Sequence, residues 1–148
     1  MLPDFASIIA ETKEHALAGL ASLEDAKVIA GGTDLMVKMR AGKHYGHIID
    51  ITNVEELRHT TEKDGAVIIG ATATHARLGS DAIIRGNAPG LALACSLVGS
   101  PQIRNMGTIG GNIVNASPAA DSIPPMLIHD ALLTLESKGT SRKVKLED

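Results

Sequence analysis

Aromatic residues are almost missing from this chain. Tryptophan does not occur, and Phe5 and Tyr45 are the single phenylalanine and tyrosine among 148 residues. The core must therefore be aliphatic, and a flat ring bound here would find few faces to stack on. Cysteine is equally scarce. A lone Cys95 excludes an internal disulfide and leaves no cysteine set for zinc or an iron–sulfur cluster. No apolar run approaches the ~20 residues of a membrane span. The amino terminus shows neither the basic start nor the apolar stretch of a signal peptide. An excess of one charge sign is missing too: 14 Lys and Arg against 17 Asp and Glu leave a formal charge of −3. That mixture speaks against a nucleic-acid partner, which would favour a clustered basic face. These absences point to a cytoplasmic protein of one domain, or of two small lobes sharing a core.

Two glycine pairs dominate what is present. Thr12 to Leu23 reads as an amphipathic helix, with Ala16, Leu17, Leu20 and Leu23 on one face. Lys27 to Ala30 begins a short strand that runs into Gly31-Gly32, after which Thr33 and Asp34 can cap a helix holding Leu35, Met36 and Met39. His47 to Ile51 is a second strand, so residues 1–52 form a β–glycine turn–α–β unit. Residues 53–148 make a second α/β part. There Ala66 to Ala71 reads as a buried strand and Thr74 as the cap of a turn through Leu78. Pro89 to Val98 is apolar nearly all round and reads as a buried helix. A short helix near Pro124 to His129 and a hairpin around Gly139, with strands Leu132 to Ser137 and Lys143 to Leu146, complete the pattern.

Gly99 to Asp121, GSPQIRNMGTIGGNIVNASPAAD, is the most informative stretch. Its four glycines and two prolines disfavour helix interiors, while Ile103, Met106, Ile109, Ile113 and Val114 make it too apolar for an ordinary loop. The expectation is a buried, tightly turned backbone whose amides seek a partner, and a phosphate suits them. Neither glycine pair fits G-x-G-x-x-G or G-x-x-x-x-G-K-[ST], so Rossmann and P-loop readings fail on spacing. Gly31-Gly32 alone is explained by a turn needing positive φ. Two such turns flanked by Thr33, Asp34, Thr108 and Asn112 fit a ligand with two phosphates and a polyol, held without a nearby lysine. Asp121 is either a helix cap or a ligand contact. Arg104 is expected to brace local carbonyls, Cys95 and the methionines to fill core, and His75 and His129 to be structural. His15, His44, His47 and His59 are assigned to the surface. No Ser-His-Asp set or carboxylate pair emerges.

The segments VIAGGTDLMVKMR (28–40), HIIDI, IGATATHARL (69–78) and 99–121 resemble, in order and over nearly the whole chain, the FAD-binding medium subunit of the molybdenum hydroxylases. That family includes xanthine dehydrogenase, carbon monoxide dehydrogenase and nicotinate dehydrogenase. The resemblance implies an α+β, two-lobed FAD-binding fold of the PCMH/vanillyl-alcohol-oxidase type. It places Ile29, Ala30, Gly31, Gly32, Thr33, Asp34 and Leu35 on one side of FAD, and Gly99, Thr108, Ile109, Gly110, Gly111 and Asn112 on the other. Asp121 matches the family's acid at the polyol or ribose. The family divides labour: molybdopterin sits in a large subunit, two [2Fe–2S] clusters in a small one, and FAD here passes electrons to NAD or another acceptor. No residue of this chain is then expected to act as a general acid or base. Family subunits continue well beyond the equivalent of Asp148, so the resemblance also implies a chain without the usual C-terminal domain. The alternative is a truncated, non-catalytic lobe that keeps the fold and binds FAD weakly or not at all.

Overall fold

The computed structural model describes residues 2–148. The chain begins with a three-stranded parallel sheet: β1 (Ala6–Ile9), β2 (Ala26–Ile29) and β3 (His47–Asp50), in the order β1-β3-β2. Ile8 and Val28 both stand opposite Ile49. Parallel strands need long connections, and α1 (Lys13–Ser22) and α2 (Leu35–Arg40) supply them. Thr12 starts α1 by accepting the His15 amide at 3.1 Å, a cap worth about 1 kcal/mol. A Cβ on Gly19 would stand 3.0 Å from Ile49 Cδ1, so the helix lies directly on β3. Ala10, Ala16, Ile49 and Val54 form the core of this part, with Leu23, Ala26, Ile51 and Leu57 packed around it.

After a short 3-10 turn at Glu55–Leu57, β4 (Thr60–Lys63) and β5 (Ala66–Ile69) form an antiparallel hairpin. Six short helices follow: α3 (His75–Ser80), α4 (Ala82–Asn87), α5 (Pro89–Leu97), α6 (Pro101–Met106), α7 (Ile109–Asn115) and α8 (Ile123–Ile128). The hairpin β6 (Leu132–Ser137) and β7 (Thr140–Lys145) ends the fold. A second core gathers Leu78, Ile84, Leu91, Cys95, Ile109 and Met126, and Val67, Ile69 and Leu146 pack against it. The mixed parallel and antiparallel strands give the expected α+β class.

Several expectations need correcting. The glycine-rich stretch is two helices rather than a turned loop. Ser100 and Thr108 cap them through the Ile103 and Gly111 amides at 3.3 and 3.1 Å, and Pro101 sits in a first turn where its missing N–H is harmless. Tertiary hydrogen bonds offset the poor propensity of Gly110 and Gly111: Ile109 and Gly110 donate to the Ala73 and Ala71 carbonyls at 3.0 and 2.9 Å. Ile103, Met106 and Val114 are exposed rather than buried. α5 is buried on one side only, since Leu93 and Leu97 face outward. The strand at Ala66 is shorter than expected, and Ile68 is half exposed on the face turned away from the second core. Neither Asp34 nor Ser122 makes a side-chain cap, and Asp121 caps nothing. His129 is exposed, and His47 is half-buried with Nδ1 3.0 Å from the Glu24 carbonyl oxygen. Thr74 caps α3 as expected, accepting the Arg77 amide at 3.3 Å.

Candidate functional site

β2 is an open edge of the parallel sheet, and Lys27 to Ala30 along it form one wall of a cleft of about 410 Å³. The chain leaves β2 through Gly31 and Gly32. Gly32 has φ +69°, a conformation open to glycine at no steric cost. Gly31 has a different duty. A Cβ there would fall on the Met106 carbonyl and stand 3.0 Å from the Gly107 nitrogen, so the two glycine-bearing turns meet backbone to backbone.

The second turn is stitched to α3. His75 donates its amide to the Gly107 carbonyl and Ile109 to that of Ala73, both at 3.0 Å, framing the bridge between Thr74 and Thr108. Arg104 braces the approach, its Nη1 donating to the Val98 and Gly99 carbonyls at 3.0 and 3.1 Å. Below it, the buried Ser122 hydroxyl donates to Asn112 Oδ1 at 2.6 Å and fixes that side chain. At the mouth, Asn115 donates to Asp34 at 2.9 Å and accepts from Lys38 Nζ at 2.6 Å.

The two turns differ in what they offer. Among the described residues, no backbone hydrogen bond is donated by the amides of Gly31 to Leu35. Such a run of free donors beside a cleft is an anion-binding arrangement. The second turn does not repeat it. The amides of Ile109, Gly110, Gly111 and Asn112 donate to Ala73, Ala71, Thr108 Oγ1 and Thr108 carbonyl. What the second turn offers is a wall without a side chain: a Cβ on Gly111 would press on Thr108 Oγ1 at 2.9 Å, and its φ is not positive.

Ten of the expected residues border the cleft: Ile29, Ala30, Gly31, Gly32, Thr33, Asp34, Leu35, Thr108, Gly111 and Asn112. Four do not. Ile109 turns its side chain into the second core. Gly110 packs on Ala71, whose carbonyl oxygen would lie 2.7 Å from an added Cβ. Gly99 sits at the α5–α6 junction, and Asp121 is exposed beside the cleft, its charge felt by His75.

Sequence reasoning missed Lys27, Lys38, Tyr45 and His75, which also line the cleft. The expectation of no lysine near the turns is therefore corrected. Two of the four had a readable signal: Lys27 is on the same edge strand as Ile29, and Lys38 follows Asp34 by one helical turn. His75 is buried, its Nδ1 has no hydrogen-bond partner, and burial holds its pKa below the usual histidine value against the opposing pull of Asp121. No group of three His, Cys, Asp or Glu among the described residues could hold a metal ion. No described helix is long and apolar enough to cross a membrane.

Residues 3–148 match the family described as the FAD binding domain in molybdopterin dehydrogenase. The chain is 43% identical over 137 residues to a xanthine dehydrogenase FAD-binding subunit of Escherichia coli O157:H7, covering 90% of this chain and 47% of that one. It is 37% identical over 150 residues to a nicotinate dehydrogenase FAD-subunit of Eubacterium barkeri, covering 99% and 51%. A solved carbon monoxide dehydrogenase from Hydrogenophaga pseudoflava superposes with a TM-score of 0.95 at 34% identity, covering 99% of this chain and 52% of that one. The chain spans about half the length of the curated relatives it matches.

Proposed function

The chain belongs to the FAD-binding domains of molybdopterin dehydrogenases, and on that premise we propose that its cleft holds FAD with the diphosphate over the amides of Gly31 to Leu35. The observation that carries this reading is that unpaired run in the lining of a cleft whose wall at Gly111 carries no side chain. The donor chemistry fits the group: short hydroxyls of Thr33 and Thr108, free amides, and the ammonium groups of Lys27 and Lys38 suit a diphosphate. Ile29, Ala30, Leu35 and Asn112 would border the nucleotide and polyol. Gly99, Ile109, Gly110 and Asp121 would act as supports or as neighbours that meet the ligand when it is bound.

FAD, when bound, supplies the redox chemistry, carrying electrons from the [2Fe–2S] clusters of a small partner subunit toward NAD or another acceptor. The chain's own residues bind and orient. The backbone contact at Gly31 fixes the spacing of the two turns, and the Asn115 bridge fixes the mouth. A molybdenum-cofactor large subunit, a cytoplasmic setting and a lobe boundary near residues 52 and 53 belong to the same proposal. Relatives whose names describe FAD-binding subunits and medium chains support it.

Reconstitution tests the reading. The purified chain titrated with FAD should quench flavin fluorescence to a saturable end point and retain a yellow chromophore through gel filtration. No quenching at millimolar FAD would leave the alternative, a folded lobe without the cofactor.

A further inference from the structure

His75 is the unexplained group in this site. It is 2% exposed, and its Nδ1 is sealed from solvent with no hydrogen-bond partner. A second sealed and unpartnered side-chain atom, Thr60 Oγ1, lies in β4, and Thr60 is not part of the cleft wall. The other ring nitrogen, Nε2, is not among the sealed atoms, and the residue borders the cleft together with Thr33 and Thr108. The ring also lies close to the second turn: Cδ2 is 3.3 Å from where a Cβ on Gly107 would stand, and Thr33 Oγ1 is 3.6 Å from that same point. The imidazole, the Thr33 hydroxyl and the turn that touches Gly31 therefore converge on one spot.

A neutral imidazole has one N–H and one bare nitrogen. A buried N–H without an acceptor is the more costly orphan. The tautomer that avoids it leaves Nδ1 bare and carries the proton on Nε2. Resting on the FAD reading above, we propose that His75 is a further cofactor-binding residue, its Nε2–H donating to a diphosphate oxygen of the bound dinucleotide. The diphosphate is the part assigned because the neighbouring donors, Thr33 and the free amides from Gly31 to Leu35, share its preference for anionic oxygen. The ring thus joins the second turn to the ligand where the amides of residues 109–112 are already committed inside the protein.

The test uses the whole 148-residue chain, titrated with FAD by fluorescence and with ADP by calorimetry. His75→Leu should weaken both ligands about tenfold, the loss of one hydrogen bond to a charged acceptor. His75→Gln, whose amide nitrogen reaches the place of Nε2, should stay within about threefold of the unaltered chain. Equal FAD affinity in the unaltered chain and His75→Leu overturns the assignment while leaving the FAD reading intact. A loss for FAD without a loss for ADP also overturns it, because the contact then lies away from the diphosphate. Failure of the unaltered chain to bind FAD overturns both. Should His75→Leu not fold, the ring ¹⁵N resonances of the unaltered chain decide: His75 must shift on adding ADP, and an unmoved His75 at saturation overturns the proposal.

Discussion

The side-chain amide of Asn115 donates to the Asp34 carboxylate at 2.9 Å, joining residues 81 positions apart at the mouth of the cleft. Lys38 completes the bridge by donating to Asn115 Oδ1 at 2.6 Å. One side chain from the end of α7 thus ties down the start of α2, within the run of free amides. Asn115→Ala removes both bonds. Because the partners are solvent-facing, the expected cost is about 1 kcal/mol or less. A thermal melt should show this as a fall in Tm of roughly 2–4 °C, with a larger proportional effect on FAD affinity, since the mouth rather than the core is loosened.

Gly110 and Gly111 are neighbours with opposite sensitivities. A Cβ on Gly110 would press on Ala71 at 2.7 Å, against backbone, whereas one on Gly111 meets only a hydroxyl. Gly110→Val should lose at least about 2 kcal/mol of stability through overpacking, read by urea denaturation. Gly111→Val crowds the Thr108 hydroxyl that caps α7 and should lose about 1–2 kcal/mol, less than Gly110→Val, while abolishing FAD binding. Full flavin occupancy in folded Gly111→Val would remove this residue from the site.

Thr108 Oγ1 accepts the Gly111 amide at 3.1 Å, and the residue is buried. Thr108→Val keeps the shape and deletes the acceptor, orphaning an N–H in the first turn of α7. The expected loss is about 1–2 kcal/mol in urea unfolding. Asp81→Ala offers a matched control: it removes the cap that accepts the Ile83 and Ile84 amides at 2.8 and 3.3 Å. It should cost about 1 kcal/mol and leave FAD affinity unchanged.

His75 gives stability a pH dependence. Burial lowers its pKa in the folded chain, with Asp121 opposing. In the window between the folded and unfolded pKa values the unfolded state binds more protons, so stability rises with pH. The sign is therefore a loss on acidification that begins as pH falls through about 6.5, the ordinary histidine value. Comparing Tm across pH 7.5 to 5 for the unaltered chain and His75→Gln should show a shallower decline in the variant.

Cys95 is fully buried, and burial pushes its thiol pKa up to about 11. At pH 8 it is overwhelmingly protonated and shielded, so a disulfide reagent should modify it only after denaturant exposes the second core. Rapid labelling of the folded chain would contradict the packing of α5 against α3.

The parts legible in the sequence were those with local chemistry. Thr12 and Thr74 announced helix starts, Gly31-Gly32 announced a turn, and Arg104 sat six and five residues from the carbonyls it holds. What misled was context at a distance. The helix at Ile109–Asn115 carries two glycines that local propensity rejects, and it forms because Ala71 and Ala73 supply acceptors from 39 and 36 residues away. The strand β4, TTEK, has no apolar alternation to read and exists through pairing with β5. His75 looked structural because a lone histidine beside a threonine cap says nothing about an unpaired nitrogen. That property is visible only in the folded chain, where Nδ1 is buried without a partner.

The meeting of Gly31 with Met106 and Gly107 is a contact between main-chain atoms. Side chains vary in bulk and rotamer, but a peptide group has one size. At this point the gauge of the cleft is therefore set by one peptide resting on another, a contact that the choice of side chain at Met106 does not change. The one change this contact does not admit is a methyl group at position 31.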